Sequence, residues 1–310
     1  MARGELSLEL VHATEAAALA IARMLGKGDP DRVSEVAGDA MRRVLEESGL
    51  SGTVVLGPRM DSNLAAGTAL APGEHSLDFG VFPVEGASQV ARGSANALSI
   101  IAAVEPGGFA HLPPIWYVEK MVAGPGARGA IDLDDSIADN LRRIAFARDA
   151  RVQDLTVVIL DRPRHQEIVA EVAATGARVR TLEEGDVAGA VMAALPGTGI
   201  DAAIGIDGLH ATLIAACAVR CLGGEILARL WPRNDEERVL AGDELGAIYG
   251  VAELSPAQVD VAVTGVSGGT LLKGAWYGSH GGATESLTMS TRFHTVRRIA
   301  TRHLRVGEAS

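Results

Sequence analysis

The chain has 310 residues, of which 47% are hydrophobic and 22% are charged, so it can bury a substantial core. Its 39 acidic and 28 basic residues give a formal net charge of -11, which argues against nucleic acid or an anionic membrane as its main partner. No apolar run approaches the roughly 18 residues of a membrane span, and the first residues lack the apolar core of a signal peptide. We therefore expect a soluble, cytoplasmic protein, and these counts still allow an anionic small-molecule ligand.

The first part of the chain is predicted to contain two helices followed by strands. Apolar residues recur at helical spacing over residues 5–25 and 31–48. Strands with few polar residues, as expected for a sheet covered on both faces, are predicted at 52–57, 77–84, 97–105 and 116–122.

From residue 136 the pattern alternates between helix and strand. The predicted helices cover 136–149, 167–174, 186–195 and 209–222, and the strands between them cover 155–160, 178–182 and 201–206. This alternation predicts that these strands pair in parallel. Further strands are predicted at 259–264, 285–290 and 293–299. The loop Gly265–Gly269 is either a phosphate-binding loop or a flexible connector.

The stretch from Leu77 to Leu98 contains the first candidate for chemistry. A buried strand runs into Pro83, a turn follows at Glu85–Gly86, and a loop of small residues ends at Asn96. An acidic residue at the point where a hydrophobic strand breaks into a glycine turn often places a carboxylate at the mouth of a cleft. Glu85 is therefore a candidate catalytic residue.

Short tracts between residues 6 and 303 resemble, in the same order, those of the class II (GlpX-type) fructose-1,6-bisphosphatases. They include Thr14-Glu15-Ala16-Ala17-Ala18-Leu19, Asn96-Ala97-Leu98, Tyr117-Val118-Glu119-Lys120, Gly124-Pro125-Gly126-Ala127, Asp139-Asn140-Leu141-Arg142, Pro163-Arg164-His165, Leu230-Trp231-Pro232 and Ala283-Thr284-Glu285-Ser286-Leu287. The resemblance implies an α/β fold, a layered α-β-α-β-α sandwich of the inositol-phosphatase/fructose-1,6-bisphosphatase sugar phosphatase type. We expect a break near residue 150, with altered metal-site loops in 1–150 and the phosphate-binding loop in 151–310.

The resemblance also implies a metal-dependent hydrolysis of the 1-phosphate of a sugar bisphosphate. Paired divalent cations held by carboxylates neutralise charge on the phosphate and activate water. The family takes these carboxylates from four places, and each differs here. The first has Ser34 beside Glu35, and the second has Gly57-Pro58-Arg59-Met60. The third has Phe82-Pro83-Val84-Glu85-Gly86-Ala87 in place of Asp-Pro-Ile-Asp/Glu-Gly-Thr, and the fourth has Asp207-Gly208-Leu209-His210-Ala211-Thr212 in place of Gly-Gly-x-Pro-Glu-Gly. Glu85 alone remains, so we expect no metal ligands and no cofactor, with Mg²⁺ or Mn²⁺ only in a rearranged site.

The matched phosphate-binding residues are better preserved. Arg162 and Arg164 flank Pro163 in a loop after a strand, and guanidinium groups match phosphate oxygens with two parallel hydrogen bonds. The resemblance adds Tyr117, Lys120 and Asp186 as substrate-binding residues. The simpler alternatives are a solvated surface turn for the two arginines and an ordinary helix N-cap for Asp186.

Ionisable residues also stand near the altered metal loops. Asp207 and His210 lie on the loop without its Glu, and His75 and Asp78 precede the altered turn. If these loops meet, as they do in the family, Asp78, Glu85, Asp207 and His210 are candidate catalytic groups for acid–base chemistry without a metal. Taken alone, each residue is more often an exposed loop residue or a cap, and only their clustering near the altered loops favours a catalytic role.

Three hypotheses follow for the function. The first is a repurposed enzyme that acts on a phosphorylated or anionic small molecule by metal-independent chemistry. The second is an inactive homologue that binds sugar phosphates and regulates. The third is a residual metal-dependent sugar bisphosphatase that uses Glu35, Asp61, Asp78 and Glu85. In each case we expect a homo-oligomer, a dimer or tetramer as the family suggests.

Overall fold

The computed structural model describes residues 6–58, 62–70, 76–279 and 281–304. The helices, in chain order, are α1 Leu6–Ala22, α2 Pro30–Glu47, α3 Ala87–Arg92, α4 Ile137–Ala147, α5 Gln166–Ala174, α6 Asp186–Ala194, α7 Leu209–Cys221, α8 Asp235–Ala241 and α9 Val251–Leu254. The strands are β1 Ser51–Leu56, β2 Ser76–Glu85, β3 Leu98–Val104, β4 Tyr117–Ala123, β5 Thr156–Leu160, β6 Arg178–Leu182, β7 Ala202–Gly208, β8 Glu225–Leu230, β9 Ile248–Gly250, β10 Val259–Gly265, β11 Trp276–Gly278, β12 Gly281–Ser290 and β13 Thr295–Leu304.

The chain divides into two compact units. The first comprises Met1–Pro106 and Gln258–Ser310, and the second comprises Gly107–Ala257. The first unit is discontinuous because β10 pairs antiparallel with β3, from Val259 opposite Val104 to Gly265 opposite Leu98. The break expected near residue 150 falls inside the second unit, between α4 and β5.

The sheet of the first unit is mixed. In the part of the chain that the structure describes, its strands run in the order β1-β2-β3-β10-β12-β11, and β13 also pairs with β12. The β1–β2 pair is parallel and the other pairs are antiparallel. Its core is built from residues of α1 and α2, such as Leu10, Ile21 and Met41, together with Phe79 of β2 and Ile101 of β3. Burial of these side chains stabilises the two helices together with the sheet.

The loop Gly265–Gly269 is fixed by hydrogen bonds to the protein. The N–H of Val266 donates to the Ala97 carbonyl at 2.9 Å, and the N–H of Gly269 donates to the Leu272 carbonyl at 3.0 Å. Asn96 accepts at its side-chain oxygen from the Thr270 N–H at 3.1 Å. Because these N–H groups already have acceptors within the chain, the structure favours an ordered connector over a phosphate-binding loop.

The second unit contains the predicted parallel strands. Its six strands, counted among the described residues, follow the order β6-β5-β7-β4-β8-β9. The β5–β6 and β5–β7 pairs are parallel, which confirms the prediction from helix and strand alternation, whereas β4, β8 and β9 join by antiparallel pairing. Both units therefore combine a mixed sheet with packed helices, consistent with the sandwich-type α/β fold that the resemblance implies.

The described residues form several elements that were not predicted, among them α3, α8, α9, β8, β9 and β11. Residues 87–92 form α3, where a loop was predicted, because six residues are too short to show a helical period. The helix begins directly after Gly86, whose φ of 97° lies in the left-handed region. Strand β8 was not predicted, although its side chains alternate between buried and half-buried. No helix among residues 6–58, 62–70, 76–279 and 281–304 is long and apolar enough to span a membrane.

The end of β10 provides a test of close backbone packing. A Cβ added at Gly265 would lie 2.1 Å from the backbone oxygen of Lys273. We therefore expect Gly265→Ala to lower the free energy of unfolding by about 2 kcal/mol or more, measured by urea denaturation.

The matched control is Gly126→Ala, because a Cβ there meets nothing within 4 Å. This control is expected to stay within about 0.5 kcal/mol of the parent protein. Equal stability of the two variants would show that the 265–275 segment does not pack as described.

Candidate functional site

The parallel strands of the second unit end at one edge of their sheet. β5 ends at Leu160, β6 at Leu182 and β7 at Gly208. They are followed by a 3₁₀ turn at Pro163–His165, by α6 and by α7. Ligands of open α/β sheets bind in the crevice outside the carboxyl ends of such strands. This edge is therefore the first place to look for a site.

Five of the residues expected from the sequence meet at this edge. Strand β4 runs antiparallel to β7 and places Tyr117 opposite Gly208 and Lys120 opposite Gly205. We call the cluster the carboxyl-edge site, and it consists of Tyr117, Lys120, Arg164, Asp186 and Asp207.

A buried ion pair joins the strand to the helix within this site. The Lys120 ammonium group contacts Asp186 Oδ1, and the Lys120 side chain is only 3% exposed. Asp186 is the first residue of α6, after Gly185 with a left-handed φ of 106° that favours glycine. The N-cap of the helix is Gly185, and the Asp186 side chain pairs with Lys120, so the structure does not support the N-cap alternative.

Arg164 is held by three kinds of contact. Its Nε donates to the Ile206 carbonyl at 2.8 Å, and its Cζ lies 4.6 Å from the centroid of the Tyr117 ring. One terminal nitrogen, Nη2, lies 3.5 Å from Asp207 Oδ1. These contacts fix the plane of the guanidinium group, which is the arrangement needed for recognition of a carboxylate or phosphate.

His165 is a structural residue beside the site. Its Nδ1–H donates to the Leu160 carbonyl at 2.7 Å, and its Nε2 accepts from the Ile206 N–H at 2.9 Å. The ring is buried, with 1% of the residue exposed. His165 therefore ties the end of β5 to β7 and positions the neighbouring Arg164.

The two carboxylates of the site are electrostatically coupled. A cavity of about 20 Å³ lies against Lys120, Asp186 and Asp207, enough for about one water molecule. Burial, opposed by Lys120 and reinforced by Asp207, raises the pKa of Asp186 to about 6. Oδ2 of Asp186 and Oδ2 of Asp207 are buried without a hydrogen-bond partner among the described residues. A buried pair of like charges of this kind holds a proton more strongly than either carboxylate alone.

Three aromatic rings, those of Trp116, Tyr117 and Trp231, lie on the solvent side of the site. The Tyr117 and Trp231 rings meet edge to face with centroids 6.3 Å apart. The Arg233 guanidinium lies 5.1 Å from the Trp116 ring and 5.8 Å from the Tyr117 ring. Trp116 is 64% exposed. The sequence analysis assigned no function to Trp116 or Arg233. Trp116 directly precedes the predicted substrate-binding residue Tyr117, and this position was a sequence signal that Trp116 could belong to the site.

Two predicted residues of the same unit lie apart from these contacts. Arg162 is half-buried, and its Nη1 donates to the neighbouring Asp161 carbonyl at 3.1 Å. His210 is exposed in the first turn of α7.

The first unit contains the other predicted catalytic residues, and the structure does not bring them together. Asp78 lies near the start of β2, opposite Thr53 and Val104, and Glu85 ends the strand opposite Leu98. Seven residues of extended strand separate them by roughly 23 Å. His75, Arg59, Met60 and Asp61 lie outside the described residues.

The fold defines an α/β protein, and the carboxyl-edge site is its candidate small-molecule site. Over residues 4–303 the chain matches the family model described as bacterial fructose-1,6-bisphosphatase, glpX-encoded. It is 34% identical to fructose-1,6-bisphosphatase 1 class 2 of Escherichia coli strain K12, over 97% of this chain and 96% of that protein. The class 2 fructose-1,6-bisphosphatases of Escherichia coli O6:H1 and Shigella flexneri match with the same identity and coverage. The chain therefore belongs to the glpX-encoded bacterial fructose-1,6-bisphosphatase family.

Enzymes of this family are metal-dependent. The question is therefore whether the residues at the matched positions can hold a metal ion. Within the described ranges, no group of three or more His, Cys, Asp or Glu side chains is placed to hold a metal ion. Ser34 is exposed on α2 and donates its hydroxyl to the Pro30 carbonyl at 3.0 Å. At the end of β2, Glu85 stands between Phe82 and Ala87, which offer no oxygen ligand from their side chains. The side chains of Ser34, Phe82, Glu85 and Ala87 alone do not form a site for a pair of divalent cations, and the expectation that no cofactor is needed stays a prediction.

The coupled carboxylates give a prediction for stability and pH. A carboxyl group whose pKa is raised on folding contributes stability at low pH that is lost as the pH rises through the folded value, here about 6. Asp207→Asn removes the repulsion between the two carboxylates and should lower the pKa of Asp186. We expect urea denaturation to show a gain of about 1 kcal/mol at pH 8 and almost none at pH 5.

Asp154→Asn serves as the control, because Asp154 also pairs with an arginine, Arg151, but lies at the opposite end of β5. The pKa of Asp154 is lowered by its hydrogen bond from Arg151, so this variant should change stability equally at pH 5 and pH 8. A gain for Asp207→Asn that is independent of pH would contradict the coupling.

Proposed function

We propose that this protein binds a sugar phosphate at the carboxyl-edge site and acts on it by chemistry that does not use the metal pair of its family. The relatives are named as fructose-1,6-bisphosphatases, which supports a phosphorylated sugar as the ligand class. In this proposal Arg164 binds the phosphate group, with Arg162 as an outer cation. Tyr117, Lys120 and Asp186 contact the sugar.

The observation that carries the binding proposal is the fixed guanidinium of Arg164. Its Nε donates to the Ile206 carbonyl and one face of the group covers the Tyr117 ring, while the terminal nitrogen Nη2 lies 3.5 Å from Asp207 Oδ1. A guanidinium held in one orientation loses less conformational entropy on binding than one that is exposed and mobile. Half-burial of the side chain also strengthens its interaction with an anion relative to open solvent.

The residues at the matched metal positions support chemistry without the metal pair. Phe82, Ala87 and Ala211 carry no ligand atoms in their side chains, and Ser34 uses its hydroxyl within its own helix. Asp207 and His210, which belong to the same unit as Arg164, are then the candidates for proton transfer to this ligand. Glu85 belongs to the first unit and stays a candidate from the sequence alone. Asp78, at the other end of β2 from Glu85, has no role in this proposal. Isomerisation, elimination, cyclisation and group transfer are the reaction types compatible with acid–base groups alone.

A second candidate function is metal-dependent hydrolysis of a sugar bisphosphate. Identity of 34% over 97% of the chain to a class 2 fructose-1,6-bisphosphatase favours it. It requires a different set of oxygen ligands from the four matched positions. We also propose a homodimer or homotetramer, as the family suggests, and sedimentation velocity tests this assembly directly.

The experiment follows the phosphorus atoms of a panel of sugar phosphates by ³¹P NMR, with EDTA or with added Mg²⁺ or Mn²⁺. We expect at least one new phosphate-ester signal that EDTA does not suppress, and little inorganic phosphate. His210→Ala should lower the rate of that conversion by about 10²-fold or more, the usual scale for loss of a general acid or base.

The exposed residue Glu35 provides the matched control, and Glu35→Ala should leave the rate of this conversion unchanged. Release of inorganic phosphate only with Mg²⁺ or Mn²⁺ would establish the second candidate instead. Binding without any change in the spectra would point to an inactive, regulatory homologue and would overturn the proposal of an enzyme.

A further inference from the structure

The carboxyl-edge site carries a carboxylate that its matched family pattern does not have. Asp207 stands at the first Gly of Gly-Gly-x-Pro-Glu-Gly, whereas Asp186 matches an acid of the family. Asp207 Oδ1 accepts a hydrogen bond from the Gly208 N–H at 3.0 Å and lies 3.5 Å from Arg164 Nη2. The guanidinium group proposed to bind the ligand's phosphate therefore already faces an anion of the chain.

The charges of the site balance when every group is ionised. Lys120 comes from β4, Arg164 from the turn after β5, Asp186 from α6 and Asp207 from β7. His165 lines the same cavity, but both of its ring nitrogens contact backbone groups. Two cations and two carboxylates leave no net positive charge with which to attract a phosphate dianion.

The two carboxylates are also incompletely satisfied. Each has a buried Oδ2 without a hydrogen-bond partner in the described part of the chain, and both residues line the cavity of about 20 Å³. That volume holds about one water molecule and is too small for a phosphate group. A proton on one carboxylate would supply the missing donor and would leave the site with a positive charge.

We propose that Asp207 links anion binding to proton binding: a phosphate group binds at Arg164 together with one proton, which the Asp186–Asp207 pair takes up. This inference rests on the proposed binding of a sugar phosphate at the carboxyl-edge site. It adds that the affinity for the ligand falls as the pH rises, for a reason specific to this chain.

The electrostatics of the pair support the direction of this linkage. Burial and the neighbouring Asp207 raise the pKa of Asp186 to about 6, so roughly a tenth of the molecules hold this proton at pH 7. A phosphate dianion bound at Arg164 adds negative charge beside Asp207 and stabilises the protonated pair further. The proton therefore becomes more tightly held when the ligand binds, and by linkage the ligand binds more tightly when the proton is present.

The test is isothermal titration calorimetry with fructose 1,6-bisphosphate in EDTA, at pH 6 and pH 8. Each titration is run in two buffers of different ionisation enthalpy, which gives the number of protons taken up. Protonation of the ligand itself is common to all variants and cancels in their differences. We expect the wild-type protein to take up between about 0.5 and 1 proton more than Asp207→Gly at pH 8. Between pH 6 and pH 8, the Kd of the wild-type protein should also rise about tenfold more than the Kd of Asp207→Gly.

Two further variants make the result specific. Asp207→Asn keeps an acceptor for the Gly208 N–H and should behave like Asp207→Gly, which covers the case in which the glycine variant does not fold. Asp154→Asn removes an arginine-paired carboxylate at the far end of β5 and should behave like the wild type.

The outcomes separate the two proposals. Equal proton uptake and equal pH dependence in the wild type and both Asp207 variants, with measurable binding, would overturn the linkage and leave the binding site intact. If neither the wild type nor either Asp207 variant binds at pH 6, Arg164 is not an anion site, and the proposed function fails together with this inference.

Discussion

The buried ion pair between Lys120 and Asp186 is the contact on which the carboxyl-edge site depends. Removal of either partner would leave a charge in a region that is almost closed to solvent, which costs far more than the loss of a surface pair. The pair joins β4 to the first residue of α6, so it couples the antiparallel part of the sheet to the edge where the parallel strands end. Tyr117 and Arg164 lie on the same edge, and Arg164 is the residue proposed to bind an anion there.

Sequence patterns predicted this site better than they predicted the other candidate residues. Helix and strand alternation is a local signal, and it correctly predicted the parallel strands that bring Arg164, Asp186 and Asp207 to one edge. The resemblance added Tyr117 and Lys120 from the antiparallel strand. By contrast, the separation of Asp78 from Glu85 depends on how far β2 stays extended through Pro83. The discontinuity of the first unit depends on a pairing between residues more than 150 positions apart.

The cavity and the electrostatic interaction between its two carboxylates could not be predicted from the sequence, for a different reason. Each depends on which side-chain oxygens are excluded from water, and residue type does not specify this. Asp207 shows the difference clearly. In the sequence it was one of several acid–base candidates near a lost metal ligand, whereas in the structure it opposes Arg164 and raises the pKa of Asp186. In the proposed function, Asp207 therefore changes the electrostatics of the edge at which Arg164 binds the phosphate group.

The central claim is that Arg164 binds a sugar phosphate without a metal. The most direct measurement is the affinity for fructose 1,6-bisphosphate in EDTA at pH 6, compared between the wild-type protein and Arg164→Ala. Loss of a guanidinium–phosphate contact should weaken binding by at least about tenfold, or roughly 1.4 kcal/mol. Arg151→Ala, which removes an exposed arginine at the opposite end of β5, should leave the affinity unchanged. Equal affinities for the wild type and Arg164→Ala would contradict the claim.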